Sequence, residues 1–139
     1  MKKLIYTLLI IIALTNNSFS AGDSNTTAKA SDYTKAKNLI KAAKKYEKKG
    51  KIDKAQERYA KAQKLLLKSN EIKPLQADTL NYLGFTTRKL GDYEKGEKFY
   101  LLGLQVEPNH NGINEYLGEL YVATNRMDMA KERLEVLKT

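Results

Sequence analysis

Between Ala77 and His110 the apolar positions recur at three- and four-residue steps. Leu80, Leu83, Thr87 and Leu90 share one face of a predicted helix over Gln76–Leu90. Gly91-Asp92 then interrupts the pattern. Glycine can take the left-handed conformation that ends a helix, and aspartate can cap the next one. Tyr93, Gly96, Tyr100 and Gly103 or Leu104 form the apolar or small face of a second helix, Tyr93–Val106. Pro108 cannot continue that helix and biases Glu107 away from helical geometry. Gly84 and Gly96 lie inside the helices, where each costs about 1 kcal/mol relative to alanine. Close approach of a packed neighbour is the best reason to keep them there.

The pattern returns after thirty-four residues. Leu83-Gly84 becomes Leu117-Gly118, Tyr82 becomes Tyr116, Tyr93 becomes Met127, Gly96 becomes Ala130 and Tyr100 becomes Leu134. The backward shift needs seven further residues. Lys49-Gly50 then stands for the turn, with Leu39, Ala42, Ala43 and Tyr46 on the first helix and Ile52, Ala55, Tyr59 and Ala62 on the second. Six helices follow: Tyr33–Lys49, Ile52 to about Asn70, Gln76–Leu90, Tyr93–Val106, Asn111–Thr124 and Met127–Lys138. One hairpin cannot bury its own apolar face, whereas about three stacked hairpins make a stable unit.

This layout resembles the tetratricopeptide-repeat family. The matching residues in the middle copy are Leu80, Leu83, Gly84, Gly96, Tyr100 and Pro108. The last copy offers Leu117, Gly118, Tyr121, Ala130 and Leu134, and the first offers Leu39, Ala43, Tyr46, Ala55, Tyr59 and Ala62. The departures are Thr87 where the family usually has tyrosine, Asn114 where it usually has a large apolar residue, and a first copy without the terminal proline and with an insertion near Asn70 to Gln76. The resemblance implies an all-α, right-handed α-solenoid of about three antiparallel helix pairs, with copies at about 36–69, 77–110 and 111–139 inside a domain spanning 32–139. Scaffold, not chemistry, defines such a family, so the likeness says little about function.

Ahead of the repeats, residues 1–20 read as an export signal. Lys2 and Lys3 give the positive start, Leu4 to Leu14 the apolar run, and Ser18 and Ser20 the small residues of a cleavage site. The run is shorter than the roughly twenty residues a membrane span needs. Residues 21–31, rich in Ala, Gly, Ser, Asn and Thr, read as a flexible linker or as the frayed start of the first helix. Ser31 or Asp32 can cap that helix. The chain has no cysteine, which excludes disulfides and lipid attachment at an N-terminal cysteine. Together with the repeats, these features match a small exported bacterial protein, periplasmic or envelope-associated.

The formal net charge of +9 is unevenly spread. Lys29 to Lys68 hold fourteen Lys or Arg against four Asp or Glu, while from Asn70 onward nine face eleven. A basic first copy suits an anionic partner such as a lipid head group or an acidic protein. The plainer reading of Lys41, Lys44, Lys45, Lys48, Lys49 and Lys51 is the solvated face of a surface helix. Head-to-tail association, basic end to acidic end, also fits. Nucleic acid is not an expected partner of an exported chain.

Catalysis is not expected, nor is a metal or cofactor. The single histidine, His110, sits in a turn and reads as plain surface, with no second histidine or cysteine to complete a metal or thiol site. Glu115 and Glu119 face together one turn apart, yet paired acids on a charged helix are usually solvated. The tyrosines recur at repeat spacing and read as core.

The family resemblance implies a concave groove lined by the first helix of each pair. Carried onto this sequence, that selects Lys37, Lys44 and Lys48, then Asn81, Phe85, Arg88 and Lys89, then Glu115, Glu119 and Val122. Phe85 lies off the Leu80–Leu83–Leu90 face, so its ring is either an exposed anchor for a peptide or helix or packed on the adjoining repeat. Arg88 and Asn81, one turn to either side, suit a peptide backbone or carboxylate. The functional expectation is a non-enzymatic protein-binding scaffold, with docking of an anionic membrane surface or partner on the first copy as the alternative.

Overall fold

The computed structural model describes residues 31–139, so the proposed signal and nearly all of the proposed linker lie outside it. Six helices run in order: α1 Asp32–Lys48, α2 Ile52–Ile72, α3 Ala77–Lys89, α4 Tyr93–Val106, α5 Asn111–Ala123 and α6 Met127–Leu137. The predicted segments fall within a residue or two of these. None of the described helices is long and apolar enough to cross a membrane.

The turn inside each pair uses one device at one repeat position. Gly50 and Gly91 sit at φ 68° and 98°, and Asn125 holds the third equivalent place at φ 58°. Glycine and asparagine tolerate this left-handed region best, so the chain reverses there at least cost. Three of the six described helix starts, those of α1, α4 and α5, are capped by side chains. Ser31 accepts from the Thr34 amide at 3.1 Å, and Asp92 from the Lys95 amide at 3.0 Å. His110 does the same for α5: its Nδ1 accepts from the Ile113 amide at 3.1 Å. The proton therefore sits on Nε2, which faces Asp78 Oδ1 at 3.1 Å. The histidine expected to be plain surface is a cap that also ties α5 to the start of α3.

In the first two pairs a small residue on the first helix faces a large one on the second. Ala43 meets the level of Tyr59, and Gly84 that of Tyr100; both tyrosines are fully buried. The approach at Gly84 is close, since a Cβ there would lie 2.5 Å from the Tyr100 ring. A ring cannot move aside as a flexible side-chain tip can, so the glycine is required. The pairs α1–α2, α3–α4 and α5–α6 then stack, with α3 on α2 and α5 on α4, and α1, α3 and α5 side by side. Ile40, Tyr59, Leu66, Leu80, Leu83 and Phe85 belong to one core, and Tyr100, Ile113, Leu117, Leu120 and Tyr121 to a second.

One expectation fails. Leu134, the counterpart of Tyr100, is 51% exposed, and α6 has no buried residue. The face that α5 covers on α3–α4 has no covering helix on α5–α6 among the described residues. The insertion between the first two pairs lengthens α2 to Ile72, and the chain then turns through Leu75, held at φ 55° after Pro74.

Gly84→Ala is expected to cost about 1–3 kcal/mol of stability through overpacking. Adding Tyr100→Leu recovers part of that loss, so the two changes couple by more than about 0.5 kcal/mol in urea titrations; strict additivity would show that the ring does not set the helix spacing. His110→Ala is expected to lower stability by about 1 kcal/mol, with His110→Asn retaining most of it, in the same titrations.

Candidate functional site

On the side of the stack formed by α1, α3 and α5 lies a cleft of about 400 Å³. Lys44, Glu47 and Lys48 of α1 form one wall, Phe85 and Lys89 of α3 the base, and Tyr116 and Glu119 of α5 the other wall. The Phe85 and Tyr116 rings lie 4.8 Å apart at their centroids, tilted by 40°. Lys44 Nζ stands 4.5 Å over the first ring and 5.1 Å over the second, and donates to the Tyr116 hydroxyl at 2.9 Å. Such placement of an ammonium over aromatic faces is attractive. Lys89 Nζ donates to Glu47 Oε1 at 2.8 Å, and Arg88 to Glu119 Oε2 at 2.7 Å. Lys48 is exposed and forms no ion pair among the described residues. Lys44, Lys48, Arg88 and Lys89 against Glu47 and Glu119 leave the cleft net positive.

Five of the ten predicted groove residues line this cleft: Lys44, Lys48, Phe85, Lys89 and Glu119. Phe85 does so as its base and not as an exposed anchor. The ring is 2% exposed, wedged edge-on to Tyr59 at 5.7 Å and against Tyr116. Its packing on the adjoining repeats follows from the side-by-side approach of α1, α3 and α5. The same approach covers Asn81, which is buried against Gly112, where a Cβ would come within 2.7 Å of its Nδ2. Arg88 is engaged by Glu119 and only 10% exposed in its side chain. Arg88 ties α3 to α5, whereas Asn81 packs on α5 with its Oδ1 buried and without a hydrogen-bond partner among the described residues. Lys37 lines a separate hollow with Lys41 and Tyr82, and its Nζ lies 5.3 Å from the Tyr33 ring. Glu115 and Val122 line a different cleft, shared with α6.

Two groups in the cleft escaped sequence reasoning. Tyr116, expected in the core from its repeat spacing, is only half-buried and its hydroxyl accepts from Lys44. Glu47 sits three residues after Lys44 on the same helix face, and that spacing was its only signal. It accepts from the Tyr59 hydroxyl at 2.9 Å as well as from Lys89, so one carboxylate ties α1 to α2 and α3. Burial pushes the Glu47 carboxyl up, but its bonds from Lys89 and Tyr59 outweigh that and hold it below the usual carboxylate range. The buried Tyr59 hydroxyl is raised, by burial first and by its bond to Glu47 second. No group of three or more His, Asp or Glu among the described residues is placed to hold a metal.

A carboxylate whose folded pKa is depressed adds stability that is present above its unfolded pKa and disappears as pH falls through the folded value. The urea midpoint is therefore expected to drop between about pH 5 and pH 3, and to drop less in Glu47→Gln, which has no proton to gain. Parallel curves for the two proteins would show that Glu47 is not a source of the acid sensitivity.

No protein-family model and no curated protein sequence matches the chain. Similar solved structures exist at low identity. A point mutant of MamA superposes with a TM-score of 0.52 at 17% identity, over 74% of this chain and 95% of that one. The second tetratricopeptide-repeat domain of Spaghetti (RPAP3), a structure bound to the HSP90 peptide SRMEEVD, gives 0.46 at 16% identity, over 76% and 92%. The periodicity, the glycine–tyrosine packing and the MamA superposition agree: this chain has the tetratricopeptide-repeat fold.

Proposed function

We propose that the chain is a non-enzymatic interaction module that binds a peptide or helix of a partner protein across the α1–α3–α5 cleft. The observation that carries this reading is the cleft itself. An aromatic base of Phe85 and Tyr116 lies under Lys44, with Lys48 beside it carrying an uncommitted charge. Such a site suits a ligand that offers an apolar group to the rings and a carboxylate to the lysines, each hydrogen bond being charge-assisted. The fixed pairs Lys89–Glu47 and Arg88–Glu119 hold the walls before any ligand arrives, which reduces the ordering cost of binding. The N-terminal pattern of Lys2, Lys3 and Leu4 to Leu14 supports export to the envelope as the setting, and no catalytic constellation accompanies the cleft.

A second reading rests on the exposure of Lys41, Lys45, Lys48, Lys49 and Lys51 along and just beyond α1. These would hold the module on an anionic membrane surface or partner, an attraction screened by salt within about 10 Å at 0.1 M.

The test is an immobilised array of peptides, half ending in an acidic residue beside a large apolar one and half with both replaced by glutamine. The protein is expected to be retained by the first set, and Lys44→Glu with Lys48→Glu to lower retention at least about tenfold at a temperature where the variant, which loses the Lys44 contacts to Phe85 and Tyr116, is still folded. Retention that ignores the double substitution would remove the cleft from the proposal. Binding confined to anionic vesicles and abolished by moderate salt would favour the second reading.

A further inference from the structure

The thirty-four-residue register turns one intrachain interface into a template for a surface that no helix covers among the described residues. On the second pair, α5 seats where Leu80, Tyr100 and Gly103 meet Ile113, and Arg88 closes the edge through Glu119. Moved forward by one repeat, those positions are Asn114, Leu134, Leu137 and Val122. With Gly118 and Ala130 they line a cleft of about 300 Å³ between α5 and α6. Tyr100 is fully buried, but Leu134 is 51% exposed and Val122 53%. Gly118 is the second observation. A Cβ at Gly84 would strike the Tyr100 ring, whereas at Gly118 it would meet only Arg133 Cβ, at an ordinary 3.5 Å. Nothing inside the described fold requires a glycine there, although it costs helix stability. What it does is leave a notch in the cleft beside an exposed leucine.

We propose that this α5–α6 face is the contact between two copies of the chain related by a two-fold axis. Leu134 of each copy enters the notch above Gly118 and Ala130 of the other. A two-fold contact needs a self-complementary patch, and this one has it. A protruding leucine stands beside a hollow, and the rim carries Glu115 on the α5 side against Lys131 and Arg133 on the α6 side. Antiparallel alignment sets the Glu115 edge of one copy over the Lys131 edge of its mate. Head-to-tail stacking fails on the same register. The face of α1 that would enter the cleft carries Asn38, Lys41 and Lys45, where α5 carries Ile113, Tyr116 and Leu120. Burying those lysines without partners is unfavourable. The association therefore closes at two copies and does not propagate into a filament.

Sedimentation velocity on protein purified from an exporting bacterial host, over a concentration series, provides the test. A reversible monomer–dimer equilibrium is expected. Leu134→Glu and Gly118→Leu should each raise the dimer dissociation constant at least about tenfold. Leu134 is half exposed and a Cβ at Gly118 meets Arg133 Cβ only at an ordinary 3.5 Å, so the circular dichroism of the monomer should be unchanged. Lys44→Glu with Lys48→Glu should leave the equilibrium untouched, so failure of this contact and failure of the peptide cleft are separable. A dimer that survives Leu134→Glu overturns the proposal. So does a monomer at every concentration, and hydrogen exchange then names the true cover. Protected α5–α6 amides would assign the face to residues 21–30, and unprotected ones to a helix of a different protein.

Discussion

The contact on which the structure depends is a ring against a backbone. At Gly84 the missing side chain lets α4 lay Tyr100 directly on α3, at a distance that no Cβ allows. That contact fixes the spacing of the central pair, and both neighbouring pairs register on it. Ala43 and Tyr59 repeat the arrangement in the first pair with a slightly larger partner. Because the ring fills the space between the helices of a pair, the next first helix is left to pack on the outside, edge to edge with the one before. The α1–α3–α5 side is therefore a product of the hairpin packing and not a separately built surface.

Crowding along that side decides which residues reach a ligand. Phe85 stands between Tyr59 and Tyr116, so its contribution is shape and electrostatics below the cleft, with the lysines supplying the accessible groups. Arg88 and Asn81 face α5, Arg88 through its ion pair with Glu119 and Asn81 by packing on Gly112. A position one turn along the same helix thus changes from ligand contact to structural contact according to how close the next helix lies.

That dependence marks the boundary of what the sequence reveals. Helix limits, the two glycine turns and the close approach at Gly84 were legible because they follow from local rules: three- and four-residue spacing, a glycine that can turn left-handed, and a glycine inside a helix that needs a reason; the Tyr100 ring and the turn at Asn125 were not. The status of Phe85 depended on the distance between α1, α3 and α5, which no single helix encodes. Glu47 was hidden for a related reason. Its partners Tyr59 and Lys89 come from two other helices, and on its own helix it is one acid among lysines. His110 illustrates a third case, in which a familiar surface residue in a turn takes the capping role usually filled by serine or aspartate.

The two ends of the stack differ in a way that the charge distribution alone does not explain. At the first end, the repeat positions that would face a preceding helix are Asn38, Lys41 and Lys45, so that face can meet water without loss. At the other end, the corresponding groove is lined by Val122, Leu134 and Leu137, and its floor contains a glycine with no internal need to be one. A solenoid requires a polar outer face wherever stacking stops. The lysines of α1 meet that requirement, which gives the basic first copy a structural role before any anionic partner is considered. The α5–α6 face does not meet it, so burial against another surface is the arrangement that its composition favours.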